Sequence, residues 1–194
     1  MAIAKQAQQR TGAVLETLAR RLAYIGGALM VAMALITVAS VIGRALLSFG
    51  LGPISGDFEL VEAGCAIAIF SFLPWCQLNR GHVTVDILLD RIGGRIKALF
   101  GMIGDLVITL IAGLIAWRLY LGFGEKFPYL DQGLRDALGM GSKPFFPETT
   151  YELELPVWIP YGLALIGAVM FFVVSLYTVW RALNWVLDGA EPAR

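Results

Sequence analysis

The sequence predicts an all-α integral membrane protein: four transmembrane helices, with an amphipathic helix lying on the cytoplasmic interface between spans two and three. Three observations carry this. The composition is 58% hydrophobic and 15% charged, with a mean hydropathy of +0.72, where a soluble domain has about 45–50% apolar and about 25% charged residues. One core within 194 residues cannot hide that much apolar surface, so lipid is the solvent. The apolar residues fall in four long runs, without the segments of about ten alternating residues that mark barrel strands. The five tryptophans sit at the ends of these runs, where an indole reaches both hydrocarbon and water.

Residues 22–43 form the first span, 22 residues without a charge and about 33 Å long as a helix, matching a hydrocarbon core of about 30 Å. That length fits a retained helix better than a signal peptide, whose apolar core is about 7–15 residues. Val14, Leu15, Leu18 and Leu22 before it read as an approach helix that continues into the membrane. Residues 58–78 form the second span, with Glu59 and Glu62 in its opening turns. Its Cys65 and Cys76 lie about 16 Å apart on a helix, too far to bridge. The third span, 98–121, contains Asp105 and Arg118; the fourth, 155–180, contains no charge. The whole chain, 1–194, is one membrane domain.

Two connecting segments have character of their own. In 83–97, Val85, Leu88, Leu89, Ile92 and Ile96 recur at helical spacing, with Asp86, Asp90, Arg91 and Arg95 between them. This is the interfacial amphipathic helix. Residues 122–156 carry six acidic residues against three basic, and Pro128, Pro144, Pro147 and Pro156. Leu130, Leu134 and Leu138 mark one short helix there, flanked by Phe127, Tyr129, Phe145, Phe146 and Tyr151. A connection this long has a role, either capping its own bundle or binding a soluble partner.

Orientation follows from the basic residues. Ten of them (Lys5, Arg10, Arg20, Arg21, Arg80, Arg91, Arg95, Lys97, Arg181 and Arg194) fall on one side, and four (Arg44, Lys126, Arg135 and Lys143) on the other. The positive-inside bias therefore predicts cytoplasmic termini and a periplasmic loop 122–156.

Enzymatic readings find little support. There is one histidine, His82, so four-histidine ligation of two haems within the chain is impossible, and no cluster suits zinc. Nucleotide-binding and nucleophile-elbow motifs are absent. Fifteen basic against fifteen acidic residues give no basic surface for nucleic acid. The ionisable residues of the spans remain. Arg44, Asp57, Glu59, Glu62 and Arg118 fall near the outer helix ends as candidates for a subunit interface or a structural ion-pair cluster, the cluster being favoured over an ion-transport site. Asp105 lies about 10 Å inside span three, where pairing, protonation or contact with another subunit are all open.

These residues resemble a family. A first span ending in Arg44, then Gly56, Asp57, Phe58, Glu59, Leu60 and Glu62 opening the second, then Arg80, Gly81, His82, Val83, Val85 and Asp86 after it, is similar to the small membrane subunit of tripartite ATP-independent periplasmic (TRAP) transporters, the DctQ-like family. The most specific piece is the stretch 80–86, which reads RGHVTVD. The resemblance implies a bacterial inner-membrane scaffold beside a large membrane subunit, with a periplasmic substrate-binding protein delivering an organic acid. No cofactor is implied in this chain, and the coupling sodium ions belong to the large subunit. At the turn Arg80-Gly81-His82, the expectation is a tight or left-handed glycine at 81 and a hydrogen bond between His82 and Asp86 that sets the angle of the interfacial helix. The competing reading is a membrane anchor for a redox enzyme, for which His82 could supply one haem ligand.

Overall fold

The computed structural model describes residues 5–81 and 94–188, and it is helical throughout its four spans. Helix α1 is Lys5–Ala45, α2 Asp57–Leu78, α3 Gly94–Lys126, α4 the short Gln132–Leu138, and α5 Trp158–Asp188. Four of these, all but α4, are long and apolar enough to cross a bilayer. His82, Asp86 and most of the expected interfacial helix lie outside the described residues. Its last residues, 94–97, form the first turn of α3 rather than a separate element, because no proline interrupts the chain between 94 and 126. The approach helix expected before span one is likewise continuous with it, making α1 41 residues long, about 62 Å.

The long helices pack in the spatial order α1, α2, α5, α3: α1 against α2, α2 against α5, and α5 against α3, with α1 touching α5 only lightly. The result is an open layer with α5 at its centre. Its buried positions are mostly small: Ala19, Ala68, Ala112, Ala164, Ala168 and Ala182. In lipid, where apolar burial gives helices no reason to associate, small residues let backbones approach and gain dispersion contact. The tightest such approach has a chemical cause. Pro74 lies inside α2 and leaves the carbonyl four residues earlier, at Phe70, without its helical N–H. Gly167 of α5 faces that carbonyl so closely that a Cβ there would lie 2.5 Å from the oxygen.

Around this layer large apolar side chains point outward, among them Tyr24, Val31, Leu35 and Val38 on α1 and Leu110, Ile111 and Leu114 on α3. They are the surface expected of a chain solvated by lipid. Between α3 and α5 the loop folds back over the bundle. Asp131 caps α4 by accepting from the Gly133 amide at 3.2 Å, and Gly139 closes it in the left-handed region. The leucine repeat does predict this helix, but Leu130, Leu134 and Leu138 all face outward.

Candidate functional site

Polar side chains concentrate at the two ends of the layer. At the end bearing the chain termini, Asp105 of α3 is 5% exposed and fully engaged. Arg80 donates to its Oδ2 at 3.0 Å, and the Gln77 amide donates to its Oδ1 at 3.2 Å. The same amide reaches Thr178 Oγ1 of α5 at 2.8 Å. One carboxylate therefore ties α2 to α3, and through Gln77 to α5. Of the three alternatives for Asp105, the geometry displays pairing inside the chain.

Arg80 is also where the turn after α2 differs from expectation. Arg80, not Gly81, takes the left-handed conformation, at φ 50. The Gly81 amide bonds Cys76 O at 2.8 Å and the Arg80 amide bonds Gln77 O at 3.2 Å, the paired closure of a Schellman cap. A side chain in this region costs about 1–2 kcal/mol. It is held there because the guanidinium is bonded to Asp105 and stacked over Trp185, 4.7 Å from the ring centroid. Arg181 stacks on the same ring at 5.0 Å and donates to Leu78 O at 3.0 Å. The N-terminal part of α1 joins this end through Gln8, which accepts from Asn184.

At the opposite end, the anticipated cluster of Arg44, Glu59, Glu62 and Arg118 divides into separate arrangements. Arg44 pairs with Asp57 at 2.7 Å, not with a glutamate, because Asp57 opens α2 directly beside the end of α1. The buried Ser40 hydroxyl donates to the same carboxylate oxygen at 2.5 Å. Glu59 instead accepts two loop amides, from Glu152 at 2.7 Å and Leu153 at 3.1 Å. The Glu152 carboxylate returns the bond by accepting the Gly56 amide. Gly56 is left-handed at φ 72, and a Cβ on it would collide with Leu153. Loop and helix thus clamp each other reciprocally, and of the two roles open to the loop the geometry displays capping of its own bundle.

The residue that organises the loop carried no sequence expectation beyond its charge. Arg135 of α4 is completely buried. Its guanidinium donates to the carbonyls of Gly124, Phe127, Tyr129, Met140, Gly141 and Ser142. Five N–H donors in a rigid plane suit such a ring of carbonyls. Its only signal in the sequence is position: it sits on a different face from the leucine repeat, among glycines and prolines whose carbonyls lack helical partners. Gln77 had a comparable signal, an amide within an otherwise apolar span.

Glu62 and Arg118 are exposed and make no hydrogen bond or ion pair among the described residues. Glu62 lines a cleft between α2 and α3 and Arg118 an adjoining hollow between α3 and α5, and the two share Leu119 and Tyr161. No group of His, Cys, Asp and Glu able to hold a metal occurs among the described residues. The arrangement therefore joins helices and leaves one charged, open cleft.

Comparison with known proteins agrees with this architecture. Residues 33–184 match the family model described as tripartite ATP-independent periplasmic transporters, DctQ component. Neither curated proteins nor solved structures gave a match. Four apolar helices and a family match covering most of the chain make this protein a member of the DctQ family, the small membrane component of TRAP transporters.

Proposed function

We propose that this chain is the scaffold beside the large membrane subunit of a TRAP transporter in a bacterial inner membrane. It supports sodium-coupled uptake of an organic acid that a periplasmic binding protein delivers. In this reading both termini are cytoplasmic and the loop 122–156 is periplasmic. The observation that carries it is the engagement of Asp105. The deepest charge in the spans is buried and engaged by Arg80 and Gln77 within the chain, as a tie between helices rather than a carboxylate open to an ion or substrate. A substrate-carrying transporter is expected instead to have broken helices around a polar midplane site, and α1, α2, α3 and α5 are each continuous through their spans.

Reconstitution tests the proposal. Proteoliposomes with this chain alone should take up no organic acid. Vesicles with the chain, its large subunit and the binding protein should show uptake that follows an imposed sodium gradient. Uptake by the chain alone, or full uptake by the large subunit without it, would overturn the scaffold role. A cytoplasm-active reporter fused after Arg194 checks the topology independently.

A further inference from the structure

The cleft between α2 and α3 differs from every other outward face of the layer. At the terminal end the two helices are bridged by Asp105, while toward the loop end they are held apart by α5. The resulting cleft is about 480 Å³, with Glu62, Ala63 and Ala66 on one wall, Leu119 on the other and Tyr161 and Ala164 of α5 as its floor. Arg118 stands on the α3 side of the adjoining hollow. The outward faces of α1 and α3 elsewhere are large and apolar, suited to acyl chains. Here Ala63, Ala66 and Ala164 stand among the larger Phe70, Leu119 and Tyr161, and such alanines favour close approach of another backbone. A carboxylate in the cleft and a guanidinium in the adjoining hollow make no hydrogen bond or ion pair among the described residues, an arrangement costly against lipid and ordinarily matched by protein.

We propose that this cleft receives a transmembrane helix of the large subunit, one that presents a hydrogen-bond donor or cation to Glu62 and an acceptor or anion to Arg118. The inference rests on the scaffold reading and adds to it the docking face and the polarity of the partner. Two charges of opposite sign in adjoining hollows define both register and direction for the incoming helix, which apolar surface alone does not.

The test uses the co-expressed complex. A photoreactive residue replacing Ala66 should crosslink to the large subunit, whereas one replacing Leu35, on the apolar face of α1, should not. Glu62→Gln and Arg118→Gln should each lower the amount of large subunit co-purified by about threefold to tenfold, the range of polar contacts between membrane helices. The thermal midpoint of the isolated chain should not change, since neither side chain makes a hydrogen bond or ion pair among the described residues. Co-purification without a crosslink from position 66 overturns the docking face while leaving the scaffold role standing. So does a crosslink at twice the chain's mass, which would identify a second copy, or an adduct with lipid alone. A fall in the isolated chain's thermal midpoint matching the loss of co-purification would make the two charges internal supports instead. Failure of any large membrane protein to co-purify would overturn both readings together.

Discussion

The two ends of the bundle solve the same problem by different chemistry. Both contain a buried charged residue, and both must satisfy it without water. At the terminal end Asp105 is met by two side chains, Gln77 of α2 and Arg80 of the turn after it. At the loop end Arg135 is met by six backbone carbonyls and by no carboxylate. The first arrangement joins preformed helices, whose backbone groups already bond to one another. The second builds structure where helical bonds are missing, using one cation to gather the orphaned carbonyls of an irregular segment. A charge in the bundle thus selects its partner according to what the local backbone leaves unpaired.

The sharpest way to break this comparison is Arg135→Met. It strands six carbonyls, two of them in buried bonds, and a cost of about 3–5 kcal/mol is expected. Limited proteolysis should cut within 122–156 while the spans stay intact. Arg135→Lys should not restore resistance, since an ammonium has three donors on a single point. Unchanged protease resistance in Arg135→Met would show that the carbonyl cage is incidental.

Asp105→Ala should be next in size, at about 2–4 kcal/mol, because it leaves Arg80 facing a low-dielectric interface without its counter-ion. The double variant Asp105→Leu with Arg80→Met should recover most of that loss, measured as the thermal midpoint in detergent. If the double variant is as unstable as the single one, the pair contributes geometry that packing cannot replace. Gly167→Ala probes a joint with no charge in it. A Cβ 2.5 Å from the Phe70 carbonyl must push α5 off α2, at about 1–3 kcal/mol. The smallest effect should come from Arg44→Gln. The Arg44 side chain is 47% exposed, so solvent screens its pair with Asp57, and the thermal midpoint should shift by less than the scatter between repeats.

Much of the architecture was legible in advance because membrane spans are written in composition. Uncharged length sets how many helices cross, and the leucine spacing at 130, 134 and 138 marked α4 correctly. The polar sites were legible only as residue types. Arg44, Asp57, Glu59, Glu62, Asp105 and Arg118 could be named as charges that need an account. Which of them meet depends on helix order and rotation, and hydropathy contains neither.

By itself, then, the sequence determined the number of membrane-spanning helices and the family pattern around residues 44–86, since both depend on local composition or on residues close in the chain. Only the tertiary structure decided that α5 lies at the centre, that Arg44 pairs with Asp57, that Glu59 holds the loop, and that Arg80 rather than Gly81 turns left-handed. It also decided that Arg135 is buried while the leucines beside it are exposed. The physical reason is the same for all of these. A polar group in a low-dielectric setting takes the partner that packing brings within hydrogen-bond reach, and here those partners lie up to 176 residues away, as with Gln8 and Asn184.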